Sequence, residues 1–336
     1  MMQAIWLEKS GPPEVLTLRS MAVPLLAREQ VLIRTEAAGV IFGDVLERRG
    51  LGHPGSPKMP YVPGNEVAGI IEAVGSSVTD LAVGDRVVAL MHEGGYATQV
   101  CADAWRCLRI PKQTDAVKAV FLLVNYWTAY YLLHHVLTPL AGQRVLVHGA
   151  AGGLGSALLQ LGRLCGLELY GTASTTKQEV VRQNGATPID YRTTDFVQRI
   201  QELTHDGVDV IYDTVGGANW GRSFRVLRRN GTLVICGIRP GARSGLVSLL
   251  PYALGMLPRV LLQRDRKVKI VFLSQDRLKD VYRQDLSILL DLLATGQIDP
   301  IIGATLPLNE ASRAHILLEK SDVVGKIVLI PTVSKV

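Results

Sequence analysis

The stretch Val145-Leu146-Val147-His148-Gly149-Ala150-Ala151-Gly152-Gly153-Leu154-Gly155 decides the fold class of this chain. Its first residues predict a buried strand, and an amphipathic helix is predicted from about Gly153 to Cys165. A strand, a glycine-rich turn and a helix in this order are typical of a dinucleotide site. Gly152 would let the backbone approach a pyrophosphate at the helix N-terminus, and Gly155 would let the helix pack closely on the strand. A structural turn without a nucleotide is the alternative.

The pattern on either side of this turn changes near residue 120. Before it, short apolar runs separated by Gly and Pro predict a β-rich domain. After it, strands and helices alternate, which predicts a parallel sheet with right-handed crossovers. The predicted strands of this second part are Val145–His148, Leu167–Thr172, Pro188–Tyr191, Val208–Tyr212 and Thr232–Cys236, and later segments are a helix near 285–295, a helix near 309–319 and a strand at 326–330.

Composition limits the function classes. The chain has 336 residues, which suits two domains, with 48% hydrophobic and 20% charged residues. The net charge of +6 is scattered apart from a cluster at Arg259, Arg264, Arg266, Lys267 and Lys269, so nucleic-acid binding is not predicted. The four cysteines form no C-x-x-C pair, and no signal peptide is visible at the start. We therefore expect a cytoplasmic location.

The end of the second predicted strand discriminates between the two nicotinamide dinucleotides. An NAD site usually places Asp or Glu there, for the ribose 2′-OH. Here the strand ends in Ala173-Ser174 with Lys177 shortly after, and Tyr191 and Arg192 end the neighbouring strand. Hydroxyl groups and cations suit a phosphate, so the sequence predicts NADPH. The alternative is that Lys177 and Arg192 are ordinary surface charges.

Patterns for other chemistry were not found. His134 and His135 are adjacent on a predicted helix and point in different directions, so they are expected to be surface residues and not metal ligands. The sequence contains no Gly-x-Ser-x-Gly nucleophile elbow. No metal site is predicted, which is compatible with hydride transfer because the cofactor supplies that chemistry.

Six segments spread over nearly the whole chain carry a family resemblance: Gly39–Asp44, Pro63–Gly69, Val83–Val87, Val124–Tyr130, Val145–Gly155 and Val324–Pro331. With these segments the chain resembles the zinc-free quinone oxidoreductase branch of the medium-chain dehydrogenase/reductase superfamily, which includes zeta-crystallin. The segments Gly171–Ser174 and Asn184–Tyr191 are especially similar to the vesicle amine transport protein subgroup.

This resemblance implies a GroES-like β-rich catalytic domain, residues 1–120 and 275–336, and a Rossmann domain with a doubly wound parallel sheet, residues 121–274. It also implies a homodimer, commonly joined through the edges of the Rossmann sheets. The residues it implies for NADPH binding are Thr128 near the nicotinamide, Gly152, Gly153, Leu154 and Gly155 at the pyrophosphate, Ser174, Lys177 and Tyr191 at the 2′-phosphate, and Cys236, Gly237, Ile238, Arg239, Phe272, Leu273 and Ser274 on the nicotinamide side.

Three positions depart from the family pattern. Zinc-dependent relatives have Cys at the position of Ile41 and His at that of Asn65, so neither residue here serves as a zinc ligand. Quinone reductases usually have Asn at the position of Ile41 and Tyr near that of Gly52. The substrate pocket around Ile41 and Gly52 is therefore expected to be less polar than the family norm, which leaves the substrate open.

The leading functional hypothesis is hydride transfer from NADPH to an activated C=C bond or a quinone. Tyr61, Asn125, Tyr126 and backbone N–H groups are candidate donors to the oxygen on which charge develops. Tyr126 and Trp127 are alternatively helix core residues. A specific enoyl-CoA reductase is one alternative function. Another is a membrane-associated regulatory protein, suggested by the apolar segment Leu246–Leu262, although membrane contact is not favoured.

Overall fold

The computed structural model describes residues 1–52, 55–237, 252, 254–255 and 265–331. The chain forms two compact units, Met1–Trp127 with Arg283–Val336, and Thr128–Tyr282. Ile238, Arg239, Arg259, Arg264 and the segment Leu246–Leu262, apart from Tyr252, Leu254 and Gly255, lie outside the described residues.

The described elements comprise strands and helices in the following order. The strands are β1 Met2–Leu7, β2 Leu16–Met21, β3 Gln30–Val40, β4 Glu66–Val74, β5 Arg86–Leu90, β6 Gln99–Asp103, β7 Cys107–Arg109, β8 Arg144–His148, β9 Glu168–Ala173, β10 Thr187–Asp190, β11 Val208–Asp213, β12 Leu227–Ile235, β13 Lys267–Ile270, β14 Ile302–Pro307 and β15 Lys326–Ile330. The α-helices are α1 Phe42–Arg48, α2 Ala116–Val120, α3 Trp127–Tyr131, α4 Gly153–Leu164, α5 Gln178–Gln183, α6 Phe196–Thr204, α7 Asn219–Arg225, α8 Lys279–Ala294 and α9 Ala311–Lys320.

The unit formed by both chain ends is built on a seven-stranded sheet. Its strand order is β14-β15-β3-β4-β5-β7, with β6 pairing β3, and only β14 and β15 are parallel neighbours. The first part of β3 alternates as a half-buried strand should, since Val31, Ile33 and Thr35 are buried between less buried neighbours. The predicted β-rich, GroES-like character of this part of the chain is confirmed.

The other unit contains a six-stranded parallel sheet with the order β10-β9-β8-β11-β12-β13. From β8 the chain winds outward through β9 to β10, then returns to β11 and winds the other way. The strand order therefore reverses between β8 and β11, where ligands bind in open α/β sheets of this kind. The predicted Rossmann class is confirmed.

A continuous helical run from Ala116 to Leu137 contains α2, α3 and two π-helical segments, Leu122–Tyr126 and Leu132–Leu137. This run of 22 residues is the one described helix whose length and apolar composition would let it cross a membrane, and 56% of its most apolar window is buried. Buried core helices meet the same criterion, so the run alone carries no membrane assignment. π-helical turns within α-helices often lie at functional sites.

Candidate active site

The glycine turn connects β8 to α4 through a backbone that side chains would obstruct. Gly149 has φ of +67°, a conformation that favours glycine. A Cβ atom on Gly155 would lie 2.2 Å from the carbonyl oxygen of Gly149. The first turn of α4 therefore lies directly against the turn backbone, and only glycine at position 155 permits this approach.

The N-terminus of α4 has the properties that a pyrophosphate requires. Gly152 is the N-cap residue, no side chain caps the helix, and the first turn carries no acidic residue. The first N–H groups of an α-helix have no partner within the helix and concentrate positive partial charge. A Cβ atom at Gly152 would already lie 3.3 Å from the oxygen of Gly149, so the glycine keeps this approach open. The turn thus fits a dinucleotide.

Buried polar residues join the strand ends at the point where the strand order reverses. Thr214 Oγ1 donates to the carbonyl oxygen of His148 over 2.7 Å, which ties the end of β11 to that of β8. Asp213 Oδ1 accepts from the backbone N–H groups of Val215 and Gly216, both at 2.8 Å. The sequence reading missed these residues. The signal for them was polar residues at the carboxyl ends of otherwise apolar strands.

The imidazole of His148 is fully buried between two hydroxyl groups. Its Nδ1 lies 3.0 Å from Thr172 Oγ1 and its Nε2 lies 3.0 Å from Ser223 Oγ. Burial lowers the pKa of His148, so the ring is neutral. His148 therefore acts as a neutral link between β8, β9 and α7 beneath the glycine turn.

The structure brings together the residues predicted for the 2′-phosphate. Strand β10 pairs with β9 so that Asp190 lies opposite Ala173, and the N–H of Tyr191 donates to the carbonyl oxygen of Ala173 over 3.3 Å. Ser174 and Lys177 are partly buried in the short turn after β9, and the Tyr191 side chain is 53% exposed. Ser174 and Tyr191 thus lie at the same edge of the sheet.

Asp190 is a carboxylate at this edge that the sequence prediction did not weigh, because it looked for an acidic residue only at the end of β9. Its Oδ1 accepts from the backbone N–H of Arg192 over 2.9 Å, and a hydrogen bond from the Thr175 side chain lowers the pKa of Asp190. The carboxylate is therefore engaged by its own turn.

The other residues predicted to bind NADPH occupy several separate segments. Thr128 lies in α3, Cys236 and Gly237 follow β12, and Phe272, Leu273 and Ser274 follow β13. Cys236 donates its N–H to the oxygen of Asp213 over 3.1 Å, and a Cβ atom on Gly237 would lie 2.7 Å from the oxygen of Thr214. Cys236 and Gly237 therefore adjoin the strand-reversal point. The Phe272 side chain is 79% exposed.

In the GroES-like unit, Ile41 is backed by a buried polar cluster. Asp44 Oδ2 accepts from the N–H of Ile41 over 2.9 Å and from the hydroxyl of Tyr96 over 2.7 Å. The same hydroxyl lies 3.4 Å from His315 Nε2. Burial raises the pKa of Asp44 to about 7 and lowers the pKa of His315 to about 3. This cluster fixes the start of α1, and Ile41 itself is half-buried.

Tyr61 and Gly52 meet at the carboxylate of Glu47. The Tyr61 hydroxyl donates to Glu47 Oε2 over 3.1 Å, and the Ser56 hydroxyl donates to Oε1 over 2.9 Å. Burial and the adjacent Glu47 raise the pKa of Tyr61 above its usual value. A Cβ atom on Gly52 would lie 2.6 Å from Ser56 Oγ. Ser56 therefore occupies the space that a larger residue at position 52 would need.

A buried ion pair contacts the first π-helical segment. Lys326 Nζ donates hydrogen bonds to Glu66 Oε2 and to Asn125 Oδ1, and the bond to Asn125 is 2.9 Å long. Glu66 Oε1 accepts from the N–H of Val124 over 3.0 Å. Tyr126, the neighbour of Asn125, is fully buried, as is almost all of Trp127. Sequence reasoning assigned no role to Glu66 or Lys326, although both are charged residues at the start of mainly apolar strands.

Two family comparisons agree with this architecture. Residues 27–112 match the family described as "Alcohol dehydrogenase GroES-like domain", and residues 184–329 match "Zinc-binding dehydrogenase". The quinone oxidoreductase of Lama guanicoe is 35% identical over 336 residues, covering 98% of each chain. The chain belongs to the medium-chain dehydrogenase/reductase superfamily. The predicted family membership is confirmed.

Two further proteins are similar to this chain over most of its length. The synaptic vesicle membrane protein VAT-1 homolog of Rattus norvegicus is 34% identical over 311 residues, covering 90% of this chain and 77% of its own length. A crystal structure of Escherichia coli quinone oxidoreductase complexed with NADPH has a TM-score of 0.89 and 30% identity, covering 98% of this chain and 100% of that one. As a superfamily member with these relatives, the chain is an oxidoreductase built on a nicotinamide-cofactor fold.

The donor set of a zinc-dependent member does not fit the residues present. Ile41 has no ligating atom, and Asn65 offers only an amide, whose Oδ1 is buried without a partner among the described residues. Within the described part of the chain, no three His, Cys, Asp or Glu side chains are grouped as they would be to hold a metal ion. The residues at positions 41 and 65 therefore do not supply the donor set that a catalytic zinc ion needs.

Proposed function

We propose that the protein is an NADPH-dependent, metal-free reductase that transfers hydride to an activated C=C bond, in an enone or enoyl-thioester, or to a quinone. The observation that carries this proposal is the glycine turn at the strand-reversal point, whose uncapped helix N-terminus fits a pyrophosphate. The NADPH complex of the Escherichia coli quinone oxidoreductase, a protein with the same fold, supports the choice of cofactor.

The chain's own residues would bind the pyrophosphate and the 2′-phosphate of NADPH. The N–H groups of α4 would hold the pyrophosphate, while Ser174, Lys177 and Tyr191 would hold the 2′-phosphate. Ser174 and Tyr191 lie at one sheet edge, and the Asp190 carboxylate there is engaged by its own turn. When bound, the reduced nicotinamide would supply a hydride and no metal would be needed.

Ile41 and Gly52 would give the substrate region an apolar character. Neither residue offers a polar side chain, and Ile41 is half-buried. An apolar region favours a substrate that binds through a conjugated carbon framework and presents a single carbonyl oxygen to polar groups. Hydride would add to the β-carbon of the conjugated C=C bond. The π electrons of that bond would form the C=C bond of an enolate, and the carbonyl π electrons would move to the oxygen, which then takes a proton from solvent.

The direct test follows NADPH oxidation by purified protein with quinones, simple enones and enoyl-thioesters. We expect turnover with at least one class that stays unchanged after treatment with a metal chelator. A failure of all three classes to oxidise NADPH would refute the proposed activity. Crotonyl-CoA and a branched enoyl-CoA, compared with simple quinones by kcat/KM, would separate an enoyl-thioester reductase from a quinone reductase.

The proposed NADPH preference is tested at Lys177. Lys177→Glu would place a carboxylate beside the 2′-phosphate, so we expect NADPH affinity to fall at least tenfold while NADH affinity changes little. Fluorescence titration measures both dissociation constants. Arg182→Glu is the matched control, since Arg182 lies on the exposed side of α5 and pairs with Glu179. Equal wild-type affinities for NADPH and NADH would contradict the assignment.

A further inference from the structure

Glu66 and Lys326 form an ion pair that is buried in the GroES-like unit. The side chain of Lys326 is 1% exposed and that of Glu66 is 0% exposed. Taking two charges out of water costs several kcal/mol per ion in general, so such a pair needs further hydrogen bonds to compensate. Those bonds are present, because Glu66 also accepts from Val124 N–H and Lys326 also donates to Asn125 Oδ1.

The sheet holds this pair in one position. Glu66 begins β4 and lies opposite Gly39 of β3, while Lys326 begins β15, which pairs with the same end of β3. A Cβ atom on Gly39 would lie 2.2 Å from Glu66 Oε2 and 3.0 Å from Lys326 Cε. The pair therefore fills the space above a glycine, and its position is set by three strands.

The chemistry of Lys326 determines how the Asn125 amide is oriented. An ammonium group has three donors and no acceptor, so the amide atom that faces Lys326 must be the oxygen. The amide nitrogen then points away from the pair. Asn125 is half-buried, and its Nδ2 has no hydrogen-bond partner among the described residues. The positive charge of Lys326 beside the amide oxygen also polarises the amide, which strengthens the Nδ2–H groups as donors.

The other two candidate donors are less available. The single O–H of Tyr61 is directed at the Glu47 carboxylate, 3.1 Å away. Tyr126 is fully buried, and its ring packs edge-on against Phe121 with the ring centres 5.2 Å apart. Of these three residues, Asn125 alone is half-buried, and its Nδ2–H groups are not directed at an acceptor among the described residues.

We infer that Asn125 Nδ2 donates a hydrogen bond to the carbonyl oxygen of the substrate, and that Lys326 and Glu66 are positioning residues that fix the amide in this orientation. This inference rests on the proposed function for the class of substrate. As hydride adds to the conjugated carbon, negative charge grows on the carbonyl oxygen, and a fixed donor stabilises that charge without reorganising. The proton that later neutralises the oxygen comes from solvent, so Asn125 is unchanged by turnover.

The test of the donor is Asn125→Asp. The carboxylate has the same shape and keeps a partner for Lys326, but it has no N–H to offer. We expect kcat to fall about 100-fold, as removal of one oxyanion donor typically does, with an unchanged dissociation constant for NADPH. Asn309→Asp, on an exposed turn, is the matched control and should keep wild-type kcat. Wild-type kcat in Asn125→Asp would overturn the inference.

The positioning role is tested at Lys326. Lys326→Met removes the charge that orients the amide, so we expect kcat to fall at least tenfold with little change in KM for NADPH, and Lys326→Arg to recover most of it. Because Lys326→Met leaves Glu66 unpaired, the Glu66→Gln/Lys326→Met double variant is measured beside it. A purely structural role would instead lower the melting temperature of these variants while the folded fraction kept its kcat. That result would overturn the positioning role.

A binding experiment separates this inference from the proposed activity. Bound p-nitrophenol presents an oxygen that carries charge when ionised, and its ionisation is followed by absorbance without any turnover. We expect the wild type to lower the pKa of the bound phenol and Asn125→Asp to abolish that shift. If the wild type reduces no acceptor but shows this shift, the proposed activity is wrong and the donor stands. No shift, or the same shift in both proteins, would refute the donor.

Discussion

Gly39 shows at the scale of a residue how a buried ion pair constrains its neighbours. Gly39→Ala would place a methyl group 2.2 Å from Glu66 Oε2, so the pair or the strands must move. We expect a loss of about 1–3 kcal/mol in the free energy of unfolding, measured by urea denaturation. Gly43→Ala is the matched control, because its methyl would meet only the flexible side chain of Ile41, whose terminal methyl would be 3.0 Å away. Equal stability of Gly39→Ala and wild type would contradict this packing.

Asp44 predicts a pH dependence of stability. Burial raises the pKa of Asp44 from 3.8 to about 7, so between these values the folded state binds more protons than the unfolded state. The free energy of unfolding therefore falls as pH rises through this window, by at most about 1.4 kcal/mol per pH unit from this group.

Replacing Asp44 by asparagine should remove that contribution. Asp44→Asn keeps an oxygen for the N–H of Ile41 and the hydroxyl of Tyr96 but does not titrate. We expect its unfolding free energy to decline less steeply than that of the wild type between pH 4 and pH 7, measured by urea denaturation at several pH values. Parallel pH profiles for the two proteins would show that Asp44 does not carry the proton.

At the scale of an element, substitutions in the glycine turn before α4 distinguish the packing of this helix from the binding of NADPH. Gly155→Ala would bring a methyl group 2.2 Å from the oxygen of Gly149, whereas at Gly152 that distance would be 3.3 Å. We expect Gly155→Ala to lower both the melting temperature and the affinity for NADPH. Gly152→Ala should lower the affinity at least fivefold while the melting temperature changes by no more than a few degrees.

Calorimetry and a fluorescence titration of the two variants measure these effects. If Gly152→Ala bound NADPH as tightly as the wild type, the turn would be a structural element without a pyrophosphate. Substitutions at the two glycines thus distinguish a dinucleotide site from a structural turn that binds no nucleotide.

The π-helical segment Leu122–Tyr126 is an element whose irregularity has a visible cause. Glu66 Oε1 takes the N–H of Val124, a group that an ideal α-helix would bond within itself. The ion pair therefore acts on the helix through two adjacent residues, the backbone of Val124 and the side chain of Asn125. Helix irregularities of this kind often lie at functional sites, as we infer here.

At the scale of the whole molecule, the β13 edge of the parallel sheet predicts self-association. Strand β13 pairs with β12 and with no other strand in the described part of the chain, and Ile270 at its end is 61% exposed. We expect a homodimer joined along this edge. Light scattering after size-exclusion chromatography should give twice the chain mass for the wild type.

A charge at this edge should disrupt the dimer. Ile270→Lys would place an ammonium group in the proposed interface, so we expect a shift towards monomer. Leu140→Lys is the matched control, since Leu140 is 72% exposed in the same unit but precedes the central strand β8 and is not part of β13. A monomeric wild type, or an Ile270→Lys protein that remains fully dimeric, would contradict the predicted interface.

Local sequence was sufficient to predict the fold class and the dinucleotide turn. Val145–Gly155 combines a buried strand, glycines and a helix start within eleven consecutive residues, and such short-range patterns depend mainly on neighbours in the chain. The helices α4 and α9 were predicted within a few residues of their bounds for the same reason, whereas the helix predicted near 285–295 matches only the later part of α8, which begins at Lys279. The π-helical segments were not, and in the first of them the N–H of Val124 bonds to Glu66, a carboxylate from a distant strand.

Tertiary structure alone decided which polar residues meet. Lys326 and Asn125 are 201 positions apart, and Lys326 and Glu66 are 260 positions apart, so no spacing rule connects them. The sequence by itself determined a Rossmann sheet with a glycine turn and named Asn125 as one of several donors. Only the antiparallel pairing of β3 with β4 and β15 placed an ammonium group against the oxygen of that amide, because hydrogen-bond orientation depends on partners that folding brings together.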